Sequence, residues 1–157
     1  MADYRIEKKD AFTVVGFEKD LSGDYSLMPQ QKADFWQQAT GDPAFEKLAQ
    51  KAVNDYEFAV NEATPDGARY YVGRQVAAPV QADWAHIHFD AGNYLVIDGT
   101  GATATELFSN LEKTAFGDVL KNLTDYQYVG GPNTTILQGH KGTQAMGEIW
   151  IPVTAQA

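Results

Sequence analysis

Residues 146–153, with the sequence MGEIWIPV, decide the fold of this chain. Aliphatic, β-branched and aromatic residues recur at every second position, which is typical of a half-buried strand. Successive side chains of a strand point to opposite faces, so Glu148 and Trp150 share one face. The other face carries apolar side chains: Ile149, Ile151 and Val153. We expect the apolar face to pack under helices and the other face to present a carboxylate beside a flat aromatic ring.

Working back along the chain, the periodicity of apolar residues predicts two halves with similar content. The first half is predicted to contain a strand within 4–17, a turn at 21–24, helices at 31–38 and from Pro43 to about 54, and a hairpin of 56–62 with 68–77. The second half is predicted to contain a loop at Pro79, strands at 84–89 and 94–99, two short helices within 103–123 divided near Gly117, and strands at 134–138 and 146–153. The chain is therefore predicted to be a tandem α+β domain.

Composition limits the function classes. The chain has 157 residues, of which 44% are hydrophobic and 21% charged, values typical of one globular domain, here expected over residues 1–157. Its formal charge of −9 disfavours direct nucleic acid binding and favours the approach of cationic small molecules. Cysteine is absent, and neither a signal peptide nor a run of 18 apolar residues is present. We expect a cytoplasmic protein that does not span a membrane.

Three aromatic positions are candidates for a ligand site besides Trp150. In the stretch YYVG at 70–73, Tyr71 shares a face with Gly73, and the missing side chain of Gly73 is expected to leave room for a ligand. Packing of both tyrosines in the core is an equally good interpretation. Phe35 and Trp36 are adjacent in the first helix and point in different directions, so one enters the core and the other lines or covers the groove.

Motifs for metal, cofactor or nucleophilic chemistry are weak. His86 and His88 share a strand face, but no further ligand has a recognisable spacing, so no metal site is predicted. The serines do not sit in a Gly-x-Ser-x-Gly elbow. The stretch GTGA at 99–102 lacks the remainder of a phosphate loop, and no cofactor is predicted.

Four stretches together resemble the GyrI-like small-molecule-binding domain, which serves as effector-binding domain in AraC-type and MerR-type multidrug-responsive activators. They are FTVVG at 12–16, YYVG at 70–73, AGNYLV at 91–96 and GEIWIPV at 147–153. The resemblance implies an SHS2-like α+β fold with an antiparallel sheet, a pseudo-twofold pair of strand-helix-strand-strand modules and a central ligand groove. It also implies lipophilic, often cationic aromatic ligands, held by aromatic walls and a buried glutamate, for which Glu148 is the one matching acid.

Three functions remain open from the sequence. The first is a stand-alone effector-binding protein for hydrophobic aromatic cations, with Glu148 supplying charge and Trp150, Tyr71, Trp36 and Phe35 supplying walls, linked to transcription through a protein partner. The second, implied by the resemblance, is a hydrolase of cyclopropane-bearing alkylating compounds, with Glu148 as general base and Tyr71 as proton donor. The third is a protein-interaction inhibitor of the gyrase-inhibitor type.

Overall fold

The structure is a computed structural model that describes residues 2–21, 25–77 and 84–156. The predicted turn over Ser22–Asp24 and the predicted loop at Pro79 lie outside the described residues. Within those ranges, one antiparallel sheet and a set of helices account for most of the chain.

The sheet has nine described strands that pair in the order β1-β6-β9-β8-β3-β4-β2-β5, with β7 attached to one end of β9. Their bounds are β1 Arg5–Lys9, β2 Phe12–Leu21, β3 Glu57–Thr64, β4 Gly67–Gln75, β5 Ala85–Phe89, β6 Gly92–Gly101, β7 Tyr126–Tyr128, β8 Asn133–Lys141 and β9 Gln144–Ala155. The predicted first strand is wrong in one respect, because the chain leaves the sheet at Asp10 and Ala11 and forms two strands there. The short strand β7 was not predicted.

Four α-helices lie between these strands in the described part of the chain, and side-chain caps begin two of them. They are α1 Met28–Thr40, α2 Pro43–Leu48, α3 Ala104–Thr114 and α4 Leu120–Asn122. Asp42 accepts a hydrogen bond from the Ala44 backbone N–H, and Thr103 accepts one from that of Glu106, so each caps the helix that follows it. The predicted break near Gly117 is instead a π-helical turn, Ala115–Val119, that joins α3 to α4.

The predicted tandem architecture is confirmed. The first module is β2, α1 with α2, β3 and β4, and the second is β6, α3, β8 and β9. Within the sheet the two modules meet where β3 pairs with β8, and the strand orders on the two sides of that pair mirror each other. A pseudo-twofold axis therefore passes between β3 and β8.

The sheet is strongly curled because each module's leading strand pairs with the other module. β1 precedes β2 but pairs with β6, and β5 precedes β6 but pairs with β2. Four strand spacings of about 4.8 Å separate β2 from β9, about 19 Å in a flat sheet. The ring centroids of Phe12 and Trp150, on those strands, are only 5.5 Å apart. We call the face on which they meet the concave face, and the other the helix face.

Each face has its own apolar core. Ile149, Ile151 and Val153 lie in the cluster under the helices, so the predicted direction of the apolar triplet is confirmed. Trp150 lies in a second cluster on the concave face. The helix face and the concave face therefore have to be considered separately as places for a ligand.

Candidate functional site

The structure does not bring the five predicted site side chains together. Glu148, Trp150 and Tyr71 belong to the concave face, whereas Trp36 and Phe35 lie on α1 against the core of the helix face. The sheet separates the two groups. The expectation that one groove is lined by all five is therefore not met by the fold.

On the concave face, the carboxylate of Glu148 is already engaged by the protein. The indole N–H of Trp150 donates to Glu148 Oε1 at 2.8 Å, and the Arg5 guanidinium donates to Glu148 Oε2 at 3.0 Å. The same guanidinium binds Asp98 at 2.7 Å and Glu7 at 2.8 Å. Its hydrogen bonds hold the pKa of Asp98 and of Glu7 below their usual values. This network fastens β1 to the second module.

The indole of Trp150 is also occupied. The ammonium of Lys9 lies 3.9 Å from the ring centroid, within cation–π distance, and pairs with Glu7 at 3.1 Å. The rings of Phe12 and Phe58 pack edge-on against the indole at 5.5 and 5.7 Å. Trp150 is thus a core residue of the curled sheet, with 6% of its surface exposed.

Tyr71 lies on the predicted face, but its hydroxyl forms a hydrogen bond with an acid other than Glu148. Its hydroxyl donates to Glu62 Oε1 at 2.9 Å, and burial raises the pKa of Tyr71 to about 12. The expectation that Gly73 leaves room for a ligand is wrong. A Cβ on Gly73 would lie 2.1 Å from the Val15 carbonyl oxygen, because the backbone of β2 fills that space.

On the helix face, a cleft of about 250 Å³ lies between α1 and α3 and so between the two modules. α1 contributes Lys32 and Ala33, α3 contributes Phe108, Ser109 and Glu112, and β4 contributes Tyr70. Phe35 packs against Tyr70 at 6.4 Å between ring centroids, and Trp36 packs edge-on against Phe108 at 4.8 Å. Two of the predicted aromatics therefore support the walls of this cleft from behind.

The cleft already holds an ammonium group beside a carboxylate and an aromatic ring. Lys32 Nζ lies 3.3 Å from Glu112 Oε2 and 5.5 Å from the ring centroid of Tyr70. The pKa of Tyr70 is raised mainly by burial, and the nearby carboxylate of Glu112 adds to the effect. A carboxylate, a buried phenol and an aromatic wall in one cleft form a site suited to an organic cation.

Sequence reasoning missed Lys32 and Glu112, although the helical period contains the signal. Lys32 precedes Trp36 by four residues, and Glu112 follows Phe108 by four, so each shares a helix face with a core aromatic. Charged residues at such positions lie at the margin of the buried stripe. The helical period does not show that Lys32 and Glu112, at the margins of the apolar stripes of α1 and α3, face each other.

The structure places both strand histidines on the surface. His86 and His88 are both exposed on β5, and His88 Nδ1 is 3.2 Å from the Thr13 hydroxyl. Across residues 2–21, 25–77 and 84–156, no group of three metal-ligating side chains is close enough to hold an ion. In the same ranges, no helix has the length and apolar character needed to cross a bilayer.

Solved structures with the same fold include proteins of known ligand or context. SAV2435 bound to tetraphenylphosphonium aligns with a TM-score of 0.79 and 19% identity, over 97% of this chain and 94% of that one. An integron cassette protein from the mobile metagenome of Vibrio cholerae aligns with a TM-score of 0.64 and 12% identity, over 96% and 95%. The C-terminal domain of EcmrR aligns with a TM-score of 0.56 and 10% identity, over 97% of both chains. These likenesses establish the fold and agree with the predicted GyrI-like architecture.

A search of the curated proteins found no significant match. The family model for the Cass2 integron-associated effector binding protein, in contrast, matches residues 5–153. That match includes both modules, the exchanged strands β1 and β5, and the cleft between α1 and α3. The chain therefore belongs to the family of integron-associated effector binding proteins.

Proposed function

We propose that the protein binds a lipophilic aromatic cation in the cleft between α1 and α3. The observation that carries this proposal is the Lys32 ammonium held between the Tyr70 ring and the Glu112 carboxylate. A site that holds one ammonium in this way has the chemistry to hold another organic cation. Membership in an effector binding family, and the tetraphenylphosphonium bound to SAV2435, support the same ligand class.

The buried surroundings favour such a ligand. Tyr70 and Phe108 are each only 3% exposed, so a cation beside them is shielded from water on one side. A cation–π contact at a partly desolvated site contributes about 0.5–2 kcal/mol. The formal charge of −9 adds a long-range attraction for cations.

The cleft is small for a drug-sized ligand. Ligand pockets commonly measure about 300–1,000 Å³, and this cleft measures about 250 Å³. A ligand with several rings therefore has to move α1 away from α3. A larger cavity of about 480 Å³ lies at the turn between β5 and β6, but its acid, Asp90, is 99% exposed and offers no shielded charge.

The predictions for the concave face remain predictions, and the geometry favours them less. Both oxygens of Glu148 have protein partners. The Tyr71 hydroxyl donates to Glu62, an acid on a different strand from Glu148. A hydrolase with Glu148 as base and Tyr71 as proton donor would need both to leave these partners. We propose instead that the protein senses or sequesters such compounds in the cytoplasm and acts on regulation through a protein partner.

Calorimetric titration with tetraphenylphosphonium tests the site. Glu112→Gln, made in Lys32→Met so that no internal ammonium offsets the loss, removes the carboxylate of the cleft, and we expect at least a fivefold weaker affinity than in Lys32→Met alone, since about 1 kcal/mol corresponds to that factor. Glu106→Gln in the same background is the matched control, because it removes the same charge from an exposed position on the same helix, and its affinity should equal that of Lys32→Met.

Two further measurements locate the ligand. In the double variant Trp84→Phe and Trp150→Phe, Trp36 is the remaining tryptophan, and ligand binding should change its emission. Glu148→Gln should retain wild-type affinity. Weaker binding in Glu148→Gln, with unchanged binding when Glu112→Gln is added to Lys32→Met, would move the site to the concave face, and no binding by folded wild-type protein would refute the proposed function.

A further inference from the structure

Among the described residues, the carboxylate that lines the cleft between α1 and α3 is already paired. Lys32 Nζ and Glu112 Oε2 are 3.3 Å apart, and their side chains are 22% and 27% exposed. Lys113 also lines the cleft, so the charged side chains that the described residues contribute to it comprise two ammonium groups and one carboxylate. A cation that enters while Lys32 stays in place meets a net positive charge.

The same ion pair helps to join the two modules. In the described part of the chain, Lys32–Glu112 is the one ion pair between α1 and α3. One helical turn away, Trp36 and Phe108 form an apolar contact between the same two helices. The ion pair is partly exposed, and the aromatic contact lies deeper, with Trp36 6% and Phe108 3% exposed.

A lysine ammonium is suited to a reversible ion pair, from which it is displaced and to which it returns. The ammonium is a compact, strongly hydrated charge on a flexible stem, so it can move from Glu112 and the Tyr70 ring into water. An ion pair of this exposure contributes little to stability, so the folded chain tolerates its opening. Arginine in a bidentate pair would be harder to displace.

We propose that Lys32 is an internal substitute for the ligand cation. It neutralises Glu112 and holds α1 against α3 while the cleft is empty, and a ligand binds by taking its place. Lys32 thereby sets the affinity threshold, and Glu112 selects cations, because only a positively charged ligand recovers the ion pair that is lost. This inference rests on the proposed function.

The variant Lys32→Met tests the exchange, because methionine keeps an unbranched apolar stem and removes the charge. For tetraphenylphosphonium, we expect its affinity to exceed that of the wild type about threefold to fivefold, because an ion pair of this exposure contributes no more than about 1 kcal/mol. The neutral analogue triphenylphosphine oxide should gain by a similar factor, because it too has to open the ion pair, and in the wild type its affinity should rise with salt, since it forms no new pair with Glu112. Lys121→Met is the matched control, because it removes a lysine charge from an exposed position outside the cleft, and it should bind as the wild type does.

Salt dependence gives a second readout. In the wild type one cation replaces another beside Glu112, so raising the salt concentration should change the affinity for tetraphenylphosphonium little. In Lys32→Met the ligand forms an ion pair with Glu112 and displaces none, so the affinity for tetraphenylphosphonium should fall as the salt concentration rises. A purely structural role for Lys32 would not produce this difference.

The outcomes separate the two proposals. If the wild type binds the cation and Lys32→Met binds it equally well or more weakly, the exchange is overturned and the proposed function stands. An affinity for the cation that falls with rising salt equally in wild type and Lys32→Met also overturns it, because Lys32 is then not displaced by the ligand. Absence of binding by the folded wild type refutes both proposals. Circular dichroism melting checks the fold, and Lys32→Gln provides a second variant if methionine destabilises it.

Discussion

Phe108 is the residue whose truncation best tests how the two modules are joined on the helix face. Its ring is 3% exposed and lies 4.8 Å from the Trp36 ring at an interplanar angle of 83°. Replacing a fully buried phenylalanine by alanine costs about 3–5 kcal/mol, through lost burial and the cavity left behind. With an unfolding entropy of about 2.1 cal/mol/K per residue, Phe108→Ala should lower Tm by about 9–15 °C.

Urea unfolding followed by far-UV circular dichroism and by tryptophan emission measures this loss. The matched control is Phe116→Ala in the same helical run, because Phe116 is 39% exposed and contacts Tyr128 at its edge. We expect the control to lose about 1 kcal/mol. A loss below about 1 kcal/mol in Phe108→Ala, with coincident transitions by both probes, would refute the packing of α3 against α1 described above.

Three further predictions concern the sheet. Gly73→Ala should destabilise by about 1–3 kcal/mol in chemical denaturation, because its Cβ would enter the backbone of β2, and wild-type stability would contradict the close approach. The pKa values of Glu7 and Asp98 are lowered in the folded state, so their stabilisation is present above the unfolded pKa and is lost as pH falls through the folded values. Thermal melting measured from pH 6 to pH 3 should show this loss of stability, of about 0.2–1 kcal/mol for each of the pairs that Arg5 forms with Glu7 and Asp98. Arg5→Met should make the stability less dependent on pH over this range. Burial raises the pKa of Glu57, so the ionisation of Glu57 opposes folding as pH rises. We therefore expect Glu57→Gln to melt at a higher temperature than the wild type at pH 7. An unchanged or lower Tm would show that the charge of Glu57 is compensated.

Sequence periodicity predicted two aromatic residues that support the candidate site, but neither its charged residues nor its assembly. Phe35 and Trp36 were assigned to the first helix, and α1 places them against Tyr70 and Phe108. The acid of the cleft could not be inferred in the same way, because Glu112 is 80 residues from Lys32 and nothing local links them. The resemblance predicted Glu148 as the acid of a ligand site, yet the environment of Glu148 depends on Arg5, which is 143 residues away.

The sequence by itself determined the local elements and the direction of their apolar faces. Alternation along residues 146–153 placed the apolar triplet under the helices because a strand has two faces and only one can enter a given core. The tertiary structure decided how far the sheet curls, which leading strand pairs with which module, and which charges meet. These properties depend on contacts between residues far apart in the chain, and the free energy of such a contact is set by burial and geometry that no local pattern contains.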